Sequence, residues 1–117
     1  MSDARGVRDM IEEARQVHAA PAIRKYIVDL VEATRRHSDV YLGASPRASI
    51  MILRASRALA AAEERDFVIP DDVKTLAPSA LSHRIIVTAD AVMSGRSAEV
   101  LVREIVAEVD VPLAESP

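Results

Sequence analysis

One arginine in this chain is placed to meet an anion. The stretch Leu42-Gly43-Ala44-Ser45-Pro46-Arg47-Ala48 runs from a turn signal into a helix start. Gly43 accommodates the positive φ that a tight turn can demand, Ser45 is suited to cap the first amides, and Pro46 fits the first helical position because its missing N–H is not needed there. This order sets Arg47 in the first turn of a rigid element. A cation there faces the positive end of the helix dipole, where a carboxylate would be the stabilising choice. Free amides, the dipole and a bidentate guanidinium together suit a phosphate. The competing reading is a solvated arginine on an ordinary helix. Arg54 follows seven residues later, almost in line with Arg47, and Arg57 lies about 60° further round, so the helix carries one basic face opposite an apolar one.

Other chemistry is missing from the pattern. A phosphate-binding GxxxxGK[ST] loop needs clustered glycines, and Gly6, Gly43 and Gly95 are far apart. There is no GxSxG elbow, HExxH pair or acidic calcium loop. With no cysteine, disulfides and thiolate metal sites are excluded together. His18, His37 and His83 are scattered, each near a predicted helix C-terminus where an imidazole serves capping. Asp71 and Asp72 are neighbours on a helix and point about 100° apart, so they serve a helix start and do not form a facing acid/base pair. No catalytic residue and no metal ligand is expected in this chain alone.

The elements that must hold Arg47 follow from periodicity. Val7, Met10, Ile11, Ala14, Val17 and His18 predict a helix over 5–18, and Ile23, Tyr26, Ile27, Leu30, Val31 and Thr34 predict a second over 22–37. The helix that begins after Ser45 is expected to run to about Glu64 with Ala48, Met51, Ile52, Ala55, Leu59 and Ala62 as its buried stripe. Phe67-Val68-Ile69 reads as a β-branched connector. Pro70-Asp71-Asp72-Val73 opens another helix with Asp72 at its third position, and Pro78 should kink or break it. A short segment around 85–88 is expected to pair with 40–42. Ser94-Gly95 turns the chain, Ser97 caps a last helix over 97–109, and 110–117 read as a frayed tail.

Half the residues are apolar but aromatics make up only 3%, so the core is aliphatic and favours close-packed helices. The expected fold is all-α: a single domain over 1–117 built as a bundle of about five helices with one very short strand pair. A net charge of −3 argues against general nucleic-acid binding. No window approaches the ~20 apolar residues that span a bilayer, and the N-terminus lacks the apolar run of a secretory signal, so the expected location is cytoplasmic, without membrane insertion.

Five blocks, taken in order, resemble a known family. They are Tyr26-Ile27-Val28-Asp29-Leu30-Val31-Glu32-Ala33-Thr34-Arg35, Leu42 to Ala48, Arg54-Ala55-Ser56-Arg57-Ala58, Pro70-Asp71-Asp72-Val73-Lys74 and His83-Arg84-Ile85. Their order and spacing are similar to the C-terminal lid of MoxR-type AAA+ ATPases, over about 20–112. The resemblance implies a helical domain that follows a nucleotide-binding core, with Arg47 as the sensor-2 residue on the terminal phosphate. Ser45 and Pro46 would position it, and Arg54 and Arg57 would support it as a basic face. By the same resemblance the full-length protein uses ATP and Mg, while nothing is expected bound to this piece alone. Its partners would be the core of the same protein, further copies in a homo-oligomeric ring, and clients assisted in assembly or metal-cofactor insertion, with no nucleic acid. Two departures stand out: the core's Walker motifs and arginine finger are not in these residues, and Ile69 stands where a capping Thr is usual, a change that typically costs ~1 kcal/mol.

The residues leave two other readings open. One is a free-standing helical module that binds an acidic partner through Arg47, Arg54 and Arg57. The other is a helix-turn-helix nucleic-acid binder, which the acidic charge disfavours.

Overall fold

The computed structural model describes residues 16–112. Among these residues five helices and one two-stranded antiparallel pair form a mainly helical bundle, as expected. They are α1 (Pro21–Arg36), β1 (Val40–Leu42), α2 (Arg47–Ala62), α3 (Pro70–Ser82), β2 (Ile86–Val87), α4 (Ala89–Met93) and α5 (Ala98–Glu108). The helix count agrees with expectation but its membership differs. The helix predicted over 5–18 lies almost wholly outside the described residues, and α4 is an addition, started by Thr88, whose Oγ1 accepts from the Ala91 N–H at 3.2 Å.

The aliphatic composition gives the core its form. Ile23, Tyr26, Ile27, Leu30, Val31 and Thr34 line the buried face of α1, which opens with Pro21 at its first turn and ends with Arg35 and Arg36, where the dipole favours cations. Helix α3 packs against both α2 and α5, and α1 completes the layer against α2 and α5. Val73, Ala77 and Leu81 are fully buried along α3, and this burial on both sides holds the helix continuous through Pro78. Of the kink or break predicted at that proline, the break does not occur. His18 lies two residues after the helical Gln16, and its backbone serves another purpose: its N–H donates to Asp66 O at 2.8 Å and its carbonyl accepts from Val68 at 2.9 Å, a parallel bridge beside the connector. His37 and His83 do stand at the C-caps of α1 and α3.

The absent threonine before α3 is offset locally. The Asp72 carboxylate accepts from the Ile69 N–H at 2.9 Å, so the acidic half of a capping box survives without its hydroxyl half. Arg65 grips the same buried carboxylate with two nitrogens, at 2.8 and 2.6 Å, and also bonds Glu63. Hydrogen bonds to Asp72 and then Glu63 raise the pKa of Arg65 further above its ordinary value. Asp72 thus serves the helix start, as the sequence implied, while Asp71 stands exposed in the same first turn.

The strand pair forms as predicted. Val40 faces Val87 and Leu42 faces Ile86, with an irregularity between the two pairs. Arg96 lies 3.0 Å from Asp39 through Nε and also bonds Glu104, tying the entry to β1 onto α5. Gly95 has φ of 80° in the turn before α5, and Ser97 caps that helix by accepting from the Val100 N–H at 3.2 Å. Residues 110–112 are non-helical, and the rest of the expected tail is outside the described residues.

Candidate functional site

The α1–α2 connection decides where Arg47 points. Gly43 is required there, though not for the reason its sequence context suggests, since among the described glycines only Gly95 has positive φ. A Cβ on Gly43 would lie 2.6 Å from Arg35 Cγ, 2.7 Å from Arg35 Cα and 2.8 Å from Arg35 N. The glycine lets the loop backbone lie directly on the last turn of α1. Beside it, Thr34 Oγ1 donates to Val31 O at 2.6 Å and accepts from the Ala44 N–H at 3.0 Å, with Thr34 and Ala44 both buried.

The start of α2 also departs in detail from its sequence pattern. Pro46 has helical dihedrals, φ −56° and ψ −23°, and the assigned helix opens at Arg47 without a side-chain cap. Ser45 contributes through its carbonyl, which accepts from the Ala48 N–H at 2.9 Å, while Pro46 O accepts from Ser49 at 3.1 Å. Two of the amides expected to be free are thus engaged by backbone. What the helix start offers an anion is chiefly the guanidinium.

The buried stripe of α2 is Ala48, Ile52, Ser56 and Ala60, not the predicted set. Met51 and Ala62 are exposed, and Ala55 and Leu59 half-buried. At 100° per residue the observed stripe is rotated by about 70° from the predicted one. The reason is size: Ala48, Ser56 and Ala60 are small enough for close approach of the neighbouring helices, whereas periodicity alone weights the bulk of Met51. This rotation sets Arg47 and Arg54 within about 20° of the direction opposite the core. Both are exposed, and neither forms a salt bridge among the described residues. Arg57 falls about 60° off that direction. It is half-buried, and its Nε is buried without a hydrogen-bond partner among the described residues. The three arginines are therefore not one equally presented row.

Around Arg47 the surface is apolar. Tyr41, Leu42, Ile50, Met51 and Ile86 are all exposed, Tyr41 to 78%. Leu42 and Ile86 are cross-strand partners, and Ile50 and Met51 sit one helical turn from both Arg47 and Arg54. Arg84 joins the two parts: its Nη2 lies 3.2 Å from Met51 Sδ and its Nη1 donates to Ala80 O at 2.8 Å. Sequence reasoning missed Thr34, whose hydroxyl looked like one more position on a helical face, and Arg84, which only the fold brings to α2. Two open grooves, of about 330 and 450 Å³, lie elsewhere, beside Glu32 and Ile105 and beside Gln16 and Arg65. Among the described residues no group of three or more His, Asp or Glu side chains is placed to hold a metal ion, and no helix is long and apolar enough to cross a membrane.

The family model for the AAA lid domain matches residues 32–105, a span that contains Thr34, the whole Arg47 loop and the strand pair. The chain belongs to the AAA lid domain family. This lid is similar to a region of YeaC from Bacillus subtilis, an uncharacterised protein, with 45% identity over 104 residues that cover 89% of the chain and 32% of YeaC. It is also similar to the chaperone MoxR1 of Mycobacterium tuberculosis, 39% identical over 100 residues covering 78% of the chain and 26% of that protein. In the crystal structure of a candidate ATPase from Cytophaga hutchinsonii, the matching region superposes with a TM-score of 0.86 at 32% identity, covering 92% of the lid and 36% of that protein. The lid thus spans about a quarter to a third of the length of these relatives, and it is of the kind carried by MoxR-type AAA+ ATPases.

Proposed function

We propose that this domain is the nucleotide-sensing lid of a ring-forming MoxR-type ATPase, and that Arg47 is its sensor-2 residue. The observation that carries the reading is the presentation of Arg47. It stands opposite the core on α2, free of any ion pair among the described residues, within the motif that resembles the family's sensor. A guanidinium whose donors are not spent on internal carboxylates fits the terminal phosphate of ATP, which it can hold bidentately. Ser45 and Pro46 shape the loop beneath it, Arg54 adds positive charge one face-length along, and Arg57 supports from the flank. ATP with Mg would supply a charge that is present before hydrolysis and released after it, so the grip of Arg47 would couple lid orientation to nucleotide state.

The exposed apolar residues Leu42, Ile50, Met51 and Ile86 are where the nucleotide-binding core of the same protein would pack, since exposed apolar surface of this kind marks an interface. The chaperone name of MoxR1 favours a role on client proteins, and by the family resemblance that role extends to their assembly or metal-cofactor insertion inside the cytoplasm. The 117 residues alone should not turn over ATP, and robust turnover by them would refute the lid assignment. In the complete polypeptide, lid and core together, Arg47→Ala removes a charge-assisted contact worth about 1.5–3 kcal/mol, so kcat should fall roughly 10- to 100-fold. Stability of the chain should stay within about 0.5 kcal/mol, because Arg47 is exposed and forms no salt bridge among the described residues. Unchanged turnover would remove the sensor role.

A further inference from the structure

We propose that Thr34, a buried residue on α1, is a positioning residue for Arg47, an inference that rests on the reading of Arg47 as the phosphate contact. Thr34 has no exposed surface, and its hydroxyl does two things at once. It donates to Val31 O, three residues back on its own helix, and it accepts from the N–H of Ala44 in the loop. Spending the one donor on the helix turns a lone pair outward to the loop, and only a hydroxyl of this size satisfies both partners. Valine would fill the same space but leave the Ala44 N–H buried and unpaired.

The span that carries Arg47 is consequently pinned at both ends. On one side Gly43 lies against the Arg35 backbone and Ala44 is held by Thr34. On the other, Ala48 is buried in the core. Between these anchors only Ser45, Pro46 and Arg47 are exposed, and the proline ring fixes one of their few free torsions. Arg47 is therefore located with respect to α1 as much as to its own helix. A shift of α1 moves the guanidinium through the Thr34–Ala44 bond.

The test uses the ¹⁵N-labelled chain, with backbone order parameters and the amide exchange of Ala44 as readouts. In the unmodified chain, 44–47 should be as rigid as the helices, with order parameters near ~0.85, and the Ala44 amide should exchange roughly 100-fold more slowly than that of Ser45. In Thr34→Val, order over 44–47 should fall below ~0.6 while α3 and α5 keep their values. Thr34→Ser should restore it. Within the complete ATPase, Thr34→Val should lower kcat by about 10-fold and Thr34→Ser should recover it. A folded Thr34→Val chain whose loop remains ordered would overturn the proposal, and so would a serine variant as loose as the valine one, since the hydroxyl would then not be enough to hold the loop. If Thr34→Val does not fold, an unprotected Ala44 amide in the unmodified chain would be equally decisive against it. The two readings fail separately. Unchanged hydrolysis in Arg47→Ala strikes the phosphate contact, whereas Arg47→Ala should leave Ala44 protection intact in either case.

Discussion

Gly43→Ala is the substitution whose cost can be worked most directly from the structure. The new Cβ would meet three atoms of Arg35 at 2.6–2.8 Å, where ordinary contacts begin at 3.4 Å, a shortfall of about 0.6–0.8 Å. The nearest of them, Cγ, belongs to an exposed side chain that can swing away. The other two, Cα and N, are backbone atoms inside α1 and move only with the helix. Relief must come from the loop lifting off α1, which stretches the 3.0 Å Ala44–Thr34 bond at a buried site. Forced overpacking costs about 1–3 kcal/mol, and a weakened buried hydrogen bond about 1 more, so a loss of roughly 2–4 kcal/mol is expected. For a domain of this size that lowers Tm by more than about 8 °C. Urea denaturation of the chain and of Gly43→Ala measures it. Gly95→Ala is the internal control: it has open space around its Cβ but φ of 80°, so its cost of about 1 kcal/mol is purely conformational. If Gly43→Ala proves no worse than Gly95→Ala, the close approach to α1 is not what the glycine serves and the reasoning fails.

Three other substitutions probe the frame. Tyr26 is buried with no hydrogen-bond partner for its hydroxyl among the described residues, and burial, aided by the charge of Asp71, raises its pKa. The folded chain then keeps the phenol neutral where the unfolded chain ionises, so stability should fall as pH rises above about 10, and Tyr26→Phe should remove that alkaline loss and be neutral to stabilising at pH 7 by equilibrium unfolding. Glu64 follows α2 with φ of 61°, a left-handed cap position that suits glycine, and Glu64→Gly should raise stability by up to about 1 kcal/mol in the same measurement. Asp72→Ala takes away the acceptor for the Ile69 N–H and should lose about 1–2 kcal/mol on the cap alone, with amide exchange faster at the start of α3 than elsewhere.

How much of this was legible beforehand varies with the physics involved. Helix α1 and the starts of α3 and α5 were readable, because caps, prolines and a wide apolar face are local signals. The strand pair at 40–42 and 86–87 was also readable, from β-branched residues bounded by turns. Helix α2 was located correctly but rotated wrongly. Its inner face is made of Ala48, Ser56 and Ala60, and the choice of small residues reflects how closely α3 and α1 approach, which no window on α2 contains. Arg47 was singled out from its neighbours in sequence, yet the groups that anchor the loop before it, Thr34 and the backbone of Arg35, sit about a dozen residues earlier. The expected roles of Gly43 and Ser45 were positive φ and a hydroxyl cap; the first gave way to a close approach to α1 and the second to a local backbone bond from the Ala48 N–H to the Ser45 carbonyl. Helix α4 carries one buried residue, Ala91, too little periodicity to register.

The rotation of α2 bears on why Arg47 can be presented at all. With the stripe that periodicity suggests, Met51 would be buried and Arg47 would lie at the edge of the packed face. In the observed packing the bulk of Ile50 and Met51 is outside and small residues are inside. This arrangement costs apolar burial that a free-standing domain would be expected to keep, at roughly 25 cal/mol per Å² of surface left in water. A domain shaped only for its own stability has little reason to adopt it. A domain whose outer face meets a second body, with Arg47 and Arg54 at the centre and apolar residues around them, recovers that burial on docking and positions the guanidinium in the same step. Polar replacement of Ile50 and Met51 together would therefore leave the isolated chain as stable as before while weakening its association with the core.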